Sequence, residues 1–234
     1  MRKFLTAEWR DLVMANYEVH PTFLAGRVPT GTELDLHEGR CFVSLVAFMF
    51  LNTHVLGMPI PFHVNFEEVN LRFYVKHDTG SEIRRGVCFI KEIVPRRAIC
   101  YVARTFYGEP YEPWRMSNSR SDGKIRYEWQ RAGSANSVQI TTGENLGVPA
   151  HGSEGEFIIE HYWGYTKRTD ARTDEYKVEH PKWELRDVES SVIDVDFGKV
   201  YGSEFGHLAN TMPHSVLFAA GSQIAVYKGS RLSG

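Results

Sequence analysis

The chain has 234 residues, with 27 lysines and arginines against 29 aspartates and glutamates, and a formal net charge of −2 at pH 7. This balance provides no whole-molecule attraction to nucleic acid or to an anionic membrane, so neither partner is expected. Hydrophobic residues make up 42% and charged residues 24%, a composition that excludes a disordered chain. A β-rich chain of this size can form one domain, and we expect a single domain over residues 1–234.

The cysteines Cys41, Cys88 and Cys100 lie among apolar neighbours and form no CxxC pair. We therefore predict buried free thiols and a cytoplasmic protein, because free thiols persist in reducing compartments. The first residues lack the apolar stretch of a signal peptide. No window reaches the roughly 18 uncharged apolar residues that a membrane span requires.

The first pattern along the chain has helical spacing. Trp9, Leu12 and Val13 fall on one stripe after Thr6, which can cap a helix, so we predict a first helix here. The run 41–50 is apolar at odd and even positions alike, which favours a strand covered on both faces.

The clearest alternation in the chain lies between residues 68 and 76. Apolar and polar side chains alternate strictly, which predicts a strand, and a second strand is predicted over 87–94. The apolar face consists of Val69, Leu71, Phe73 and Val75, and the opposite face consists of Glu68, Asn70, Arg72, Tyr74 and Lys76.

Helical spacing returns at Ile99, Val102, Ala103 and Phe106, between a proline and Gly108, and we predict a helix with a strand as the alternative. A hairpin is predicted over 124–130 and 137–142, turning at Ala132-Gly133-Ser134-Ala135.

The last third of the chain contains three further predicted elements. Ser153 and Glu156 have capping-box spacing and open a helix predicted to run through Tyr165. A strand over 176–180 ends at a proline, and a final hairpin over 215–227 turns at residues 220–222. These elements show no βαβ alternation, so the predicted class is α+β, mainly β.

Motifs for nucleotide-binding loops, zinc proteases and serine hydrolases are absent from the sequence. The ten histidines form no short HxH or HxxxH pair, so we predict no metal site. We also expect no cofactor.

The polar face of the 68–76 strand has two interpretations. In an open sheet it is the solvated side of a half-buried strand. In a closed sheet it lines the lumen, where Arg72 can bind a carboxylate in a bidentate manner and Glu68 can serve as a general acid or base.

Several segments resemble a known family. Residues 104–112 resemble the acetoacetate decarboxylase stretch Gly-Arg-Glu-hydrophobic-Trp-Gly-Tyr-Pro-Lys-Lys, with Arg104, Gly108 and Pro110 in register. The chain is more similar to the YqjF-like family, an uncharacterised branch of the acetoacetate decarboxylase-like superfamily. The segments that carry this similarity are 9–12, 68–75, 106–111, 179–185 and 215–221.

The resemblance implies a cone-shaped, partly open β-barrel with a few helices packed outside and a pocket inside. It places Glu68 in the pocket, with Glu67 as the fallback. The catalytic residues expected from it are Glu68 and Tyr111. The ligand-binding residues expected are Arg72, Asn70, Tyr74 and Arg104, together with His180 and Trp183 on another wall.

One departure from the family pattern bears on function. The decarboxylases form a Schiff base through the first lysine of the Pro-Lys-Lys run, where this chain has Tyr111 and Glu112. Tyrosine cannot form an imine, so decarboxylation by that route is not expected. Lys76 and Lys91 are the other lysines on the neighbouring predicted strands.

The sequence leaves two main hypotheses open. The first is a small-molecule-binding barrel, enzymatic in a lyase-type manner, that accepts a compact carboxylate or oxo-acid without a Schiff-base lysine. The second is a non-catalytic ligand sensor or interaction module that retains the fold. A third hypothesis, a lyase or hydratase that uses Lys76 or Lys91, is weaker. If the chain associates, a homodimer is expected, because two-fold symmetry is the commonest arrangement.

Overall fold

A computed structural model describes residues 2–131 and 133–232, and within these the chain is mainly β. The strands are β1 Lys3–Val19, β2 Glu33–Leu34, β3 Cys41–Val55, β4 Met58–Pro59, β5 Phe66–Asp78, β6 Ile83–Val94, β7 Tyr111–Pro113, β8 Arg115–Ser121, β9 Lys124–Arg131, β10 Ser134–Gly147, β11 Trp163–Thr169, β12 Arg172–Glu179, β13 Leu185–Asp194, β14 Ser215–Tyr227 and β15 Ser230–Arg231. The helices are α1 Arg97–Phe106, α2 Glu154–Ile159 and α3 Phe197–Tyr201, with 3₁₀ turns at Pro21–Phe23 and Ser203–Asn210. The predicted mainly β class is confirmed.

The strands form one continuous sheet in the order β15-β12-β11-β6-β5-β3-β1-β14-β13-β10-β9-β8. An additional pairing of β12 with β14 closes part of this path into a ring. That contact joins only Val178 to Val226 and Glu179 to Ala225, so the ring is not a regular barrel. Strands β13, β10, β9 and β8 extend away from the ring.

The alternation predicted for residues 68–76 is confirmed in β5. Val69, Leu71 and Phe73 pack in one hydrophobic cluster, whereas Tyr74 belongs to a second cluster on the opposite side of the sheet. Strand β3 is buried on both faces, as its continuous apolar run predicted. Two apolar layers therefore enclose the central strands of the ring.

The helix predicted around Trp9 is wrong, because these residues lie in strand β1. The register with β3 shifts between Arg10 and Val13, and Asp11 has a φ of 54°. This bulge inserts one extra residue. Trp9 and Leu12 therefore face the same side, although a spacing of three positions would place them on opposite sides of a regular strand. A bulged strand here reproduces the i, i+3 spacing of a helix.

The hairpin predicted over 215–227 is also wrong, because β14 runs through this segment without turning. Gly221 has a φ of 80° and pairs with Arg10, next to the bulge in β1. The glycine therefore marks an irregularity where two long strands bend together.

The other predicted elements are closer to the structure. Helix α1, the hairpin of β9 and β10 and strand β12 are confirmed, although Ala132 of the predicted turn lies outside the described residues. Ser153 caps α2, with the Glu156 backbone N–H donating to its Oγ at 3.2 Å. That helix ends at Ile159, and Tyr165, predicted to be helical, lies in β11. All three cysteines are free and buried.

Across residues 2–131 and 133–232, none of the helices combines the length and apolarity needed to cross a bilayer.

Gly221→Ala should destabilise the fold by roughly 3 kcal/mol or more in urea unfolding, because a left-handed φ disfavours any Cβ. The added Cβ would also lie 1.9 Å from the carbonyl oxygen of Trp9. Gly26→Ala is the matched control, since no atom lies within 4 Å of its added Cβ, and it should change stability by less than about 0.5 kcal/mol. Equal effects of the two substitutions would contradict the role assigned to Gly221.

Candidate functional site

A cavity of about 290 Å³ lies inside the ring, between its inner face and helix α1. This volume is at the lower end of the range for small-molecule sites. Most lining side chains are aromatic or aliphatic, including Phe4, Trp9, Phe48, Phe50, Phe66, Phe89, Ile99, Val102, Tyr107 and Trp163. The interior therefore excludes water from most of its surface, which strengthens every polar interaction within it.

Sheet register places three polar side chains in one row on the wall of this cavity. Asn70 of β5 pairs with Glu92 of β6, and Glu92 pairs with Tyr111 of β7. Glu68 lies two residues from Asn70 and therefore on the same face of β5. The ambiguity between neighbouring glutamates is resolved in favour of Glu68, because Glu67 faces the other side and accepts a hydrogen bond from Asn118 at 2.7 Å.

A bulge in β6 decides which of its side chains enters the cavity. Val87 and Phe89 line the cavity, so simple alternation would place Lys91 there as well. The register with β5 shifts between the pairs Leu71–Lys91 and Arg72–Phe89, leaving one extra residue on β6. The alternation changes phase at this point, and Glu92 enters the cavity in place of Lys91.

Glu68 is held by two hydrogen bonds in the cavity wall. The Tyr111 hydroxyl donates to Oε2 at 2.8 Å, and the Asn70 amide donates to Oε1 at 3.0 Å. Glu92 lies beside Tyr111 in the pairing of β6 with β7, and its Oε2 has no hydrogen-bond partner within residues 2–131 and 133–232. Glu68, Tyr111 and Glu92 thus form one group of adjacent proton-bearing side chains.

A third glutamate, Glu109, reaches the cavity from the turn after α1. Gly108 has a φ of 68°, and a Cβ there would meet the Arg168 guanidinium at 1.9 Å. The glycine thus permits the close turn that directs Glu109 inward. Glu109 accepts a hydrogen bond from the Thr166 hydroxyl at 2.8 Å and a second from Tyr176.

Burial controls the protonation of the three glutamates, each of which is 2–3% exposed. Burial raises the pKa of Glu68 and of Glu109 to about 7, although hydrogen bonds oppose the shift. Burial and the neighbouring carboxyl groups Glu109 and Glu68 raise the pKa of Glu92 well above its ordinary value. At neutral pH Glu68 and Glu109 are therefore partly protonated, and a protonated carboxyl can donate a hydrogen bond.

Arg72 is the cation of the cavity. Its Nη2 donates to the Ile158 carbonyl oxygen at 3.2 Å, and its guanidinium lies 5.6 Å from the ring centroid of Tyr74. Its Nε is buried and has no hydrogen-bond partner within residues 2–131 and 133–232. None of the ion pairs found among these residues involves Arg72, although its positive charge opposes the rise in the pKa of Glu68.

Unsatisfied polar atoms concentrate in this cavity. Of the ten buried side-chain polar atoms that lack a partner in the described part of the chain, seven belong to cavity residues. They are Trp9 Nε1, Thr53 Oγ1, Asn70 Oδ1, Arg72 Nε, Glu92 Oε2, Tyr107 Oη and His161 Nδ1. Buried polar groups in native proteins are normally paired, so this concentration distinguishes the wall of the cavity from the rest of the core.

The family can now be assigned. The chain matches DUF2071, described as an uncharacterized conserved protein, over residues 6–223. It belongs to this family. The Bacillus subtilis (strain 168) protein YqjF, described as uncharacterized, is 26% identical over 188 residues, which cover 79% of this chain and 76% of that protein.

Solved structures show the fold of this DUF2071 member. Legionella pneumophila acetoacetate decarboxylase aligns over 99% of this chain and 88% of its own, with a TM-score of 0.69 and 10% identity. The enduracididine biosynthesis enzyme MppR aligns over 100% and 89%, with a TM-score of 0.71 and 13% identity. An acetoacetate decarboxylase-like enzyme from Sphingomonas wittichii RW1 aligns over 100% and 95%, with a TM-score of 0.68 and 12% identity. The predicted superfamily resemblance is confirmed.

The predicted site residues divide into two groups. Glu68, Asn70, Arg72 and Tyr111 line the same cavity. Tyr74 is buried beside it, and its hydroxyl is hydrogen-bonded to Ser44 Oγ at 2.7 Å.

The remaining predicted residues lie outside that cavity. Arg104 is exposed on α1, and its Nε donates to the Tyr111 carbonyl oxygen at 2.7 Å. The His180 ring stacks on Trp183 at a centroid distance of 4.0 Å. Trp183 Nε1 donates to Ser222 Oγ at 2.8 Å, and His180 lines a wider, open cleft of about 820 Å³.

Sequence reasoning missed four cavity residues, Glu92, Glu109, His161 and Tyr176. The bulge in β6 hid Glu92, because strict alternation assigns it to the opposite face. Glu109 lay in the resembling segment, and a Gly–Glu–Pro turn was its only signal. The structure gives neither lysine of the third hypothesis access to the cavity, since Lys76 pairs with Glu33 and Lys91 with Glu112.

Among residues 2–131 and 133–232, no group of three or more His, Cys, Asp or Glu side chains is arranged to hold a metal ion. Two of the three cavity glutamates accept hydrogen bonds at 2.8 Å from hydroxyl groups, Glu68 from Tyr111 and Glu109 from Thr166.

Glu109→Gln should stabilise the protein at high pH and leave it nearly unchanged at low pH. A carboxyl whose pKa rises from 4.5 to about 7 on folding contributes stability below about 4.5, and this is lost as pH rises through about 7. At pH 8.5 the variant should exceed the wild type by roughly 2–4 kcal/mol in urea unfolding, since glutamine keeps the neutral form. Titrating groups far from the cavity cancel in the difference between variant and wild type, whereas relief of the repulsion on Glu92 adds to it in the same direction.

Glu67→Gln is the matched control, because it makes the same substitution outside the cavity. A pH-independent difference for Glu109→Gln would show that Glu109 ionises normally.

Proposed function

We propose that this protein binds a small carboxylate-bearing molecule in the enclosed cavity, where Arg72 holds the carboxylate and Glu68 with Tyr111 exchanges protons with the ligand. The observation that carries the proposal is the Arg72 guanidinium in the cavity wall. Within residues 2–131 and 133–232 it takes part in no ion pair, and its buried Nε has no hydrogen-bond partner. An arginine so placed presents donors that match the two oxygens of a carboxylate.

The charge state of the cavity supports an anionic ligand. If all three glutamates were ionised, they would repel a carboxylate and pair with Arg72. Their raised pKa values reduce the negative charge of the wall near pH 7, which weakens the repulsion of an anion drawn to Arg72. MppR, whose fold this chain shares, has been solved in complex with pyruvate, a small oxo-acid. That complex is consistent with the ligand class proposed here.

Glu68 is the group proposed to exchange protons. A carboxyl with a pKa of about 7 is populated in both forms near neutral pH, which suits a general acid or base. The Tyr111 hydroxyl donates to Oε2 of Glu68 and holds that carboxyl in place for the exchange. The reaction class proposed is therefore lyase-type proton abstraction next to a carbonyl, without a covalent amine intermediate.

A non-catalytic ligand sensor is the second candidate, and one observation favours it. Tyr111 and Glu112 occupy the positions of the decarboxylase lysines in the resembling segment. Glu112 is engaged in ion pairs with Lys91 and Arg131, each at 3.0 Å. Binding in the cavity would then persist without turnover. The homodimer expected from the sequence stays a prediction.

Arg72→Met should weaken carboxylate binding by roughly tenfold to a hundredfold, the effect of losing a charge-assisted hydrogen bond in a buried site. The probe is 2-oxobutanoate, with binding read as a ligand-induced rise in melting temperature and as Kd by calorimetry. Arg126→Met is the control, because Arg126 lies on β9, one of the strands that extend away from the ring. Its guanidinium donates to Glu128. Equal affinity of wild type and Arg72→Met would contradict the anion site.

Proton exchange distinguishes the enzyme from the sensor. The wild type in D₂O should accelerate loss of the C3 protons of 2-oxobutanoate in ¹H NMR spectra. Glu68→Gln should lower this rate by roughly 10²-fold or more, the usual contribution of a general base. Glu67→Gln should retain it. Saturable binding without accelerated exchange would exclude the enzymatic form of the proposal and favour the sensor.

A further inference from the structure

A second group of side chains meets the same cavity from the opposite wall. Asp35 is buried, and its Oδ2 accepts hydrogen bonds from Arg85 Nε at 2.6 Å and from His161 Nε2 at 3.1 Å. His161 is 7% exposed and comes two residues after α2, whose last residues carry the carbonyl oxygen that Arg72 contacts. Asp35 and His161 are separate from the group of proton-bearing side chains formed by Glu68, Tyr111 and Glu92.

The Asp35 contact determines the tautomer of His161. Burial acts to raise the pKa of Asp35, but the hydrogen bonds from His161 and Arg85 outweigh it and hold the pKa below its ordinary value. Asp35 is therefore a carboxylate that can only accept, so His161 Nε2 must carry the proton. Burial lowers the pKa of His161 to about 4, so the ring is neutral and Nδ1 has a free lone pair.

That lone pair has no partner in the described part of the chain. His161 Nδ1 is buried without a hydrogen bond, and His161 belongs to the cavity wall. The rings of Tyr74 and Phe157 lie 4.7 Å and 5.0 Å from the imidazole and fix its orientation. A buried acceptor with a fixed direction calls for a ligand group that donates a hydrogen bond.

The surrounding charges identify that donor as a neutral group. Arg72 and Arg85 both exert their positive charge on the His161 ring. Two cations next to the acceptor would repel an ammonium group, whereas a hydroxyl donates without adding charge. Arg72, the proposed carboxylate anchor, donates to the carbonyl oxygen of Ile158, which precedes His161 by three positions in the chain. A hydroxyl on the carbon next to the carboxylate has the spacing to serve both.

We propose that the ligand is a small 2-hydroxy acid or an enol of the same shape, whose hydroxyl donates to His161 Nδ1 while Arg72 holds its carboxylate. Asp35 is the positioning residue that keeps the proton on His161 Nε2 and so leaves Nδ1 as the acceptor. This inference rests on the proposed carboxylate site and adds the chemical class of the ligand. A 2-oxo acid gains the required hydroxyl only on enolisation, so the arrangement favours the enol over the ketone.

The tautomer is tested first, by ¹⁵N NMR of the histidine rings in the ligand-free protein. His161 should be protonated at Nε2, while His77, whose Nδ1 contacts the Gly31 carbonyl oxygen, serves as an internal example of the other tautomer. Asp35→Asn offers an amide donor to Nε2 and should shift His161 towards the Nδ1–H form. A wild-type His161 protonated at Nδ1 would overturn the inference.

The ligand class is tested with two acids that share one aromatic skeleton: 3-phenylpropanoate and 2-hydroxy-3-phenylpropanoate. Wild type should bind the hydroxy acid about tenfold more tightly than the unsubstituted acid, the effect of pairing one buried acceptor. In His161→Gln, which keeps a donor for Asp35 and loses the acceptor at Nδ1, the two Kd values should become similar.

The outcomes separate the two proposals. If both acids bind in an Arg72-dependent manner with equal Kd, the hydroxy-acid inference is overturned and the carboxylate site stands. If neither acid binds, the proposed function fails, and the ligand assignment fails with it. The ratio of the two wild-type Kd values and the tautomer of His161 are measured without any variant. A folding defect in His161→Gln would therefore not prevent the test.

Discussion

The burial of Glu68, Glu92 and Glu109 around one cavity is the constraint that determines the chemistry of this protein. Carboxyl groups removed from water retain their protons to higher pH, and mutual repulsion extends the effect to Glu92. The wall then carries less negative charge near pH 7, so the positive charge of Arg72 is less offset. The proposed anion binding at Arg72 and proton exchange at Glu68 both depend on this one consequence of desolvation.

Strand irregularities build that wall. The bulge in β6 brings Glu92 into the cavity in place of Lys91, and the bulge in β1 brings Trp9 and Leu12 to the same face. Gly221 accommodates the bend next to the second bulge. Each irregularity weakens local pairing, and each changes which side chains the cavity contains. β-Bulges often lie next to functional sites, where they redirect side chains, and the bulges in β1 and β6 lie next to this cavity.

Regular patterns made part of this structure predictable. Strict alternation over 68–76 predicted β5, its polar face and three residues of the cavity wall, with Tyr111 added by family resemblance. The same reasoning gave wrong predictions where strands contain bulges. The extra residue near Trp9 gives a helix-like spacing of apolar side chains, and the extra residue near Lys91 exchanges the inward and outward positions of β6. Glu109 and His161 enter from turns and from a helix end, where no period indicates direction. Such positions depend on tertiary packing.

The protonation of the buried acids is measured most directly by ¹³C NMR titration of protein labelled at the glutamate side-chain carboxyl carbons. Glu68→Gln, Glu92→Gln and Glu109→Gln assign the three resonances. We expect Glu68 and Glu109 to titrate near pH 7 and Glu92 to titrate well above the ordinary glutamate value. Titration of all three near the ordinary glutamate value of about 4.3 would contradict this picture, because the cavity would then be an anionic site closed to carboxylates.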